Sequence, residues 1–319
     1  MSELIIRPLA PFDFDLTLGV YGSFRSQSVD LYSPGCFKRV LTAGGEHYLA
    51  TAVSRGMVES PEIVLALHPK PSNKEVSQTL EDKMKWMMGA ELDLADFYRY
   101  VEVQDPILLK ITRSLFGLKP PRTPSVFEAL IIAISEQQTS LAAASSVRGR
   151  LVRKYGESLA VEEGRYYAFP TPEALAVADP ADIRKLGFSF RKATCIVNVA
   201  QKVAGRDIDL ETFRDADLGL VIEVLTSIKG VGRWTVEYMM CRGMGRYDAL
   251  PANDVGLKAA VSRCYKEGEK VTESSVRNTL QHLGEFRGYA AFYLIFAYAF
   301  EKYGLDPRTA SYQLRLIER

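Results

Sequence analysis

A glycine turn in the C-terminal half of the chain has residue types that could bind an anion. It reads Lys229-Gly230-Val231-Gly232-Arg233 and leads directly into Trp234. Glycines at the start of a helix leave backbone N–H groups pointing in one direction, which suits a phosphate, and Lys229 and Arg233 add positive charge. Turns of this kind also join packed helices without binding anything, so the turn alone leaves both interpretations open.

A single acidic residue, Asp254, follows Gly230 by 24 positions, in the stretch Leu250-Pro251-Ala252-Asn253-Asp254-Val255-Gly256. Its place before an apolar helical segment is typical of an N-cap, a role that needs no further function. The positive end of the helix dipole would favour the ionised carboxylate. In a partly apolar cleft such a carboxylate can stabilise a developing cation or direct a water molecule, so Asp254 is the candidate catalytic residue.

Two aromatic residues follow the turn at helical spacing. Trp234 and Tyr238 are four positions apart and therefore share one face of a helix. A flat ring beside a phosphate-binding turn suits stacking on an extruded nucleobase, particularly one that carries positive charge. Core packing is the alternative for both rings.

Composition limits the class of protein. The 319 residues, 47% hydrophobic and 25% charged, are enough for two globular domains. No apolar run reaches the length of about 18 residues that a membrane span needs, and the N-terminus does not have the pattern of a signal peptide, so we expect an intracellular protein, in a bacterial cytoplasm and nucleoid or a eukaryotic nucleus. The four cysteines are scattered and there are three histidines, which favours neither a metal site nor an iron–sulfur cluster.

The segments that must position these residues fall into two parts. Residues 1–104 are predicted to form an α+β domain, with strands at 28–32, 47–53 and 62–67 and a helix at 73–88. Residues 105–319 are predicted to form a mostly α domain. Ser125 is predicted to cap a buried helix, with Glu128 completing a capping box. The other predicted helices cover 140–155, 172–178, 191–203, 218–228, 234–242, 254–264, 274–283 and 289–303.

The order helix, glycine hairpin, helix, loop and aspartate resembles the helix-hairpin-helix (HhH-GPD) superfamily of DNA glycosylases. Within it, GVGRWTVEY, LPANDVGLK and FEALIIAISEQQTSLAAA look most like the 3-methyladenine DNA glycosylase II (AlkA-type) branch. The resemblance spans roughly residues 105–305. It implies a TATA-binding-protein-like α+β domain ahead of an all-α glycosylase domain, with Asp254 as the catalytic carboxylate.

The resemblance also implies roles for other residues. Lys229, Gly230, Val231, Gly232 and Arg233 would bind the DNA backbone, and Gln138 takes the position of the wedge that fills the gap left by the extruded base. The base pocket would be formed by Trp234, Tyr238, Phe296 and Phe14. Trp234 stands where branches that also cut the strand have a nucleophilic lysine, which implies a monofunctional enzyme without lyase activity.

The expected partner is double-stranded DNA with a damaged base, bound by a monomer that has no membrane association. No cofactor is expected, and the hairpin is a candidate site for a monovalent cation. The favoured substrate class is alkylated bases. Two alternatives stay open: a glycosylase for oxidised or deaminated bases such as 8-oxoguanine, hypoxanthine or uracil, and a damage-binding protein without catalytic activity.

Overall fold

The computed structural model describes residues 3–19, 29–162, 164–304, 306 and 308. Its N-terminal part contains the antiparallel strands β1 (Glu3–Ile6), β2 (Leu31–Ser33), β3 (Cys36–Ala43), β4 (Glu46–Ser54) and β5 (Ile63–His68). They form one sheet in the order β1-β5-β4-β3-β2. The strands predicted at 47–53 and 62–67 correspond to β4 and β5, whereas β1 and β3 were not predicted. The strand predicted at 28–32 overlaps β2 at its end, and its first residue, 28, lies outside the described residues.

One face of the sheet is covered by a helix. Helix α1 (Phe14–Leu18) is short, and α2 (Lys74–Met88) closely matches the predicted helix at 73–88. Asn73 caps α2 by accepting the Val76 N–H, and Gly89 ends it. Leu80 and Met84 of α2 are buried in one cluster with Phe37 and Tyr48 of the sheet. A small antiparallel sheet before the helical domain is therefore confirmed, and its likeness to the TATA-binding protein stays a prediction.

The rest of the described chain is mainly helical. Its helices are α3 (Ala95–Gln104), α4 (Pro106–Ser114), α5 (Val126–Glu136), α6 (Leu141–Tyr155), α7 (Pro172–Ala176), α8 (Pro180–Lys185), α9 (Phe190–Ala204), α10 (Leu218–Thr226), α11 (Arg233–Met239), α12 (Val255–Tyr265), α13 (Glu273–Thr279) and α14 (Arg287–Tyr303). A π-helical turn, Met240–Met244, continues α11. Every predicted helix has a counterpart, and α1, α3, α4 and α8 were not predicted.

One short hairpin interrupts the helices. Strands β6 (Ser158–Val161) and β7 (Gly164–Tyr167) pair after α6. Leu159 and Tyr166 of the hairpin pack against Val40 and Leu49 of the five-stranded sheet. The hairpin was not predicted, because strands of four residues give too little alternation to recognise in a sequence.

The helices bury two cores beside that of the sheet. One is formed around α5, α9, α10 and α11. The other joins α3 and α4 to α12, α13 and α14. In it Phe97 of α3 packs with Tyr289 and Tyr293 of α14, with ring centroids 5.4 and 5.5 Å apart. Thus α3 shares a core with helices on the other side of the predicted boundary at 104/105, and the extent of each domain stays a prediction.

The N-terminus of α5 differs from the predicted capping box. Ser125 Oγ accepts the Glu128 N–H at 3.2 Å, as predicted. The Glu128 carboxylate does not return to Ser125 and instead accepts two bonds from Arg39 Nη2 of β3, at 2.7 and 2.6 Å. A buried ion pair with the sheet thus replaces the second half of the capping box.

Among the described residues, no helix combines the length and the apolar character that crossing a bilayer requires.

Candidate active site

A cavity of about 940 Å³ lies between the two helical cores. It is lined by α5 and α6 on one side, by the start of α11 on a second, and by the start of α12 and by α14 on a third. The cavity thus brings together segments that are far apart in the sequence. Of the predicted site residues it collects Gln138, Gly230, Gly232, Trp234, Tyr238, Asp254 and Phe296.

Asp254 is the N-cap of α12 and faces this cavity. Its Oδ1 accepts the Leu257 N–H at 2.9 Å, and its Oδ2 accepts the indole N–H of Trp234 at 3.1 Å. Burial raises the pKa of Asp254 above its ordinary value of 3.8, although both hydrogen bonds act to lower it. Desolvation, which disfavours the charged form, therefore opposes the helix end and the two hydrogen bonds at this carboxylate.

Trp234 and Tyr238 lie on one face of α11, as their spacing predicts. Their ring centroids are 5.5 Å apart and their planes are inclined by 45°. Both rings are half-buried and both line the cavity. Trp234 therefore presents an aromatic surface to the cavity while its N–H holds the carboxylate of Asp254.

Helix α14 supplies aromatic residues from another side of the cavity. Phe296 is buried, and its ring centroid lies 4.2 Å from that of Phe292. Both residues line the cavity, together with Ile295. The pocket next to Asp254 is thus largely apolar and aromatic, a lining that can enclose a planar base.

The hairpin runs from Ser227 to Gly232, between α10 and α11. Gly230 has φ +99°, and a Cβ there would lie 2.9 Å from Cys195 Sγ, so the turn requires glycine. Gly232 is exposed, and nothing lies within 4 Å of the position of an added Cβ. The protein backbone could therefore approach a ligand closely at Gly232.

The remaining hairpin residues do not line the cavity. Lys229 is exposed and Val231 is buried in the helical core. Arg233 is exposed and its Nε donates to Glu237 at 2.9 Å. Glu237 also accepts from Arg277, so one carboxylate is shared by two guanidinium groups and neutralises the charge of Arg233 only in part.

Gln138 lies at the rim of the cavity, in the turn between α5 and α6. It is exposed and its φ is +49°, a left-handed conformation that is uncommon for a residue other than glycine. Its role as a wedge stays a prediction.

Phe14 is the one predicted pocket residue that the structure places elsewhere. It is buried in the core of the N-terminal sheet and borders a separate depression of about 170 Å³. Its assignment to the base pocket is wrong for this reason. The prediction followed from a short stretch of similar residues, and α1 turns that aromatic ring into its own core.

Several cavity residues were missed. Gln137 lines it next to Gln138, and Phe292, Cys241 and Lys192 line it further along. Burial raises the pKa of the Cys241 thiol to about 12, so it is a neutral lining group. Of these residues, only Phe292 could have been found from the sequence, because its helical spacing places it on one face of α14 with Phe296.

Two arrangements of side chains are absent from the described part of the chain. No three His, Cys, Asp or Glu side chains lie together as metal ligands. No histidine is present in the described lining of the cavity. The proposed monovalent cation at the hairpin stays a prediction.

The family follows from comparison with known proteins. The model of the HhH-GPD superfamily of base excision DNA repair proteins matches residues 131–285. A DNA-3-methyladenine glycosylase 1 of Schizosaccharomyces pombe is 31% identical over 53% of this chain and 70% of its own length. The chain belongs to the HhH-GPD superfamily.

Two proteins that match almost the whole chain are named as 3-methyladenine DNA glycosylases. DNA-3-methyladenine glycosylase 2 of Escherichia coli is 25% identical over 89% of this chain and 93% of its own length. A solved 3-methyladenine DNA glycosylase of Archaeoglobus fulgidus superposes with a TM-score of 0.81 at 25% identity, over 94% of this chain and 99% of the other.

Some relatives are covered by the chain only in part, and one solved relative is bound to DNA. The chain spans 66% and 58% of the length of two Bacillus subtilis relatives, a DNA-3-methyladenine glycosylase and a protein named as a putative one. A solved Schizosaccharomyces pombe 3-methyladenine DNA glycosylase is in complex with abasic DNA; its TM-score is 0.54 at 26% identity, over 63% of this chain and 95% of the other.

Proposed function

We propose that this protein is a monofunctional DNA glycosylase that extrudes and hydrolytically releases alkylated bases of the 3-methyladenine type. The observation that carries the proposal is the carboxylate of Asp254 in an aromatic-lined cavity beside the hairpin. The names of its relatives support the same substrate class.

The chemistry of the bond explains why one carboxylate suffices. Cleavage of an N-glycosidic bond builds positive charge on the sugar, as in glycoside hydrolysis. A base alkylated on a ring nitrogen is already cationic and leaves without a strong general acid. Asp254, ionised, stabilises the sugar cation or directs the attacking water.

The cavity matches such a leaving group. Trp234 and Tyr238 on α11, with Phe292 and Phe296 on α14, offer π faces to a planar cationic base. The other acidic residues that line the cavity are already paired, Asp30 and Glu128 with Arg39, and Glu136 with Arg148. Asp254 is therefore the acidic residue best placed to act on the sugar.

Damaged double-stranded DNA is the proposed partner. Gly232 and Lys229 would contact the backbone, and Gln138 would fill the gap left by the extruded nucleotide. The relative that was solved with abasic DNA supports this partner.

The absence of lyase activity is proposed from Trp234, because an indole cannot form a Schiff base. Lys192 is a lysine that lines the cavity, and burial lowers its pKa. Its Nζ is engaged with Ser135 O at 2.9 Å and Thr139 Oγ1 at 2.8 Å, which supports a structural role.

The test compares the chain with its Asp254→Asn variant on DNAs carrying 3-methyladenine, hypoxanthine, 8-oxoguanine or uracil. Asparagine keeps the N-cap, so folding and DNA binding should persist while release of 3-methyladenine falls by about 10²–10³-fold. Asp179→Asn, which changes the exposed N-cap of α8, is the matched control and should not alter release. Borohydride should trap no protein–DNA adduct.

Each alternative function predicts a different outcome of these assays. Preferred release of 8-oxoguanine, hypoxanthine or uracil would contradict the alkylated-base assignment. Binding of damaged duplex without release of any base would identify a non-catalytic protein. A trapped adduct would contradict the monofunctional assignment and direct attention to Lys192.

A further inference from the structure

Gln137 connects two functional segments that the sequence places far apart. It ends α5, immediately before Gln138. Its Nε2 donates to the carbonyl oxygen of Gly230 at 3.0 Å and to Thr235 Oγ1 at 2.9 Å. Both amide hydrogens of Gln137 are thereby used, one on the hairpin and one on the first turn of α11.

The other side of the same turn is held by two cations. Lys192 of α9 donates to Ser135 O and Thr139 Oγ1. Arg148 of α6 donates to Ser135 Oγ at 2.8 Å and to Glu136 Oε1 at 3.1 Å. The turn is thus fixed on both sides of Gln138.

These contacts account for the backbone of Gln138. A left-handed non-glycine residue persists only where its surroundings determine its conformation. Here the residues on each side are anchored, to the hairpin through Gln137 and to α9 through Thr139, and Gln138 projects between them at the cavity rim.

We propose that Gln137 is a positioning residue that joins the turn carrying Gln138 to the hairpin, so that backbone binding and wedge insertion act as one rigid unit when a base is extruded. The inference rests on the proposed function. Extrusion costs a few kcal/mol of stacking and pairing. A wedge already fixed relative to the hairpin enters the duplex without a further loss of conformational entropy in the turn, so more of the hairpin's binding energy is left to offset that cost.

The test separates extrusion from bond cleavage. One methylated oligonucleotide is assayed for 3-methyladenine release either single-stranded or annealed to its complement. Gln137→Met keeps the side-chain length and removes both hydrogen bonds. We expect release from the duplex to fall about tenfold and release from the single strand, where less stacking and no pairing must be broken, by less than about threefold.

Gln201→Met is the matched control. Gln201 is exposed on α9 and donates to Ala176 O at 3.2 Å, so the same substitution removes a bond to a carbonyl away from the cavity. Release from either substrate should equal that of the unmodified protein.

A second variant keeps the inference testable should Gln137→Met fail to fold. Thr235→Val preserves the shape of a buried side chain and removes one of the two acceptors. We expect a smaller loss with the same preference for the duplex. Equal losses on the two substrates, or no loss on the duplex, would overturn the inference. Absence of release by the unmodified protein from both substrates would instead refute the proposed function, and the inference with it.

Discussion

The hydrogen bond from Trp234 Nε1 to Asp254 Oδ2 gives the indole a role beyond stacking. It is 3.1 Å long and ends on a carboxylate whose pKa burial has raised. A donor aimed at the charged form favours ionisation. Since the proposed reaction needs the ionised carboxylate, we predict that this bond extends activity toward lower pH.

Trp234→Phe should therefore shift the acid limb of the pH–rate profile. The variant keeps an aromatic ring and loses the N–H, so the pKa of Asp254 should rise further and activity should be lost at a higher pH as the solution is acidified. At neutral pH the rate should fall about tenfold, the effect of one charge-assisted hydrogen bond. The measurement is kcat for 3-methyladenine release between acid and neutral pH.

The control uses the second tryptophan of the chain. Trp86 Nε1 donates to Thr123 O at 2.9 Å, away from Asp254. Trp86→Phe should leave the acid limb unmoved. An unchanged acid limb in Trp234→Phe would show that the indole N–H does not tune the carboxylate.

At the level of the elements, the two hairpin glycines predict opposite effects. Gly230→Ala combines φ +99° with a contact to Cys195 Sγ of 2.9 Å and should destabilise the fold by about 1–3 kcal/mol. Gly232 has φ −103° and open space around it, so Gly232→Ala should change stability by less than about 1 kcal/mol. Its methyl group would instead obstruct a phosphate, and affinity for duplex DNA should fall.

Urea unfolding and fluorescence anisotropy with a labelled duplex measure the two quantities on both variants. Full DNA affinity in Gly232→Ala would show that the hairpin backbone does not contact the duplex. Unchanged stability in Gly230→Ala would contradict the close packing against Cys195.

The elements that the sequence predicts well are those with local signals. Ser125, Ser140 and Asp254 mark helix starts, and each accepts the expected backbone N–H. The short elements β6, β7 and α8 have weak patterns and were missed. Their placement depends on tertiary packing, such as Leu159 against the five-stranded sheet.

For the molecule as a whole, part of the candidate site could be predicted from the sequence. Trp234, Tyr238, Asp254 and Phe296 were predicted from the hairpin and its resemblance, and all line one cavity. The contacts between distant segments could not be predicted from the sequence. Neither the bond from Gln137 to Gly230 nor the pairing of Arg39 with Glu128 leaves a local pattern.

That ion pair joins the sheet to the helix that carries the wedge turn. Arg39 of β3 donates to Asp30 at 2.5 Å and to Glu128 of α5, and all three residues are buried. Burial alone would lower the pKa of Arg39, but the two carboxylates raise it, so the guanidinium stays charged. Burial raises the pKa of Glu128, opposed by Arg39.

Arg39→Met should consequently destabilise the whole molecule. The substitution leaves two buried carboxylates without their cation, at a cost of about 3–5 kcal/mol in the free energy of unfolding. The loss should be largest at high pH and shrink as acid protonates Glu128, because the neutral carboxyl tolerates burial. Urea unfolding at several pH values measures both effects.

An exposed ion pair of the same sheet region is the reference. Arg7 pairs with Glu62 at 3.2 Å with most of its side chain exposed, and Arg7→Met should cost less than about 1 kcal/mol. If Arg39→Met costs no more than Arg7→Met, the ion pair does not hold the sheet to α5. A clearly larger loss than that of Arg7→Met would confirm that the ion pair holds the sheet to α5, the helix whose C-cap, Gln137, directly precedes the wedge residue.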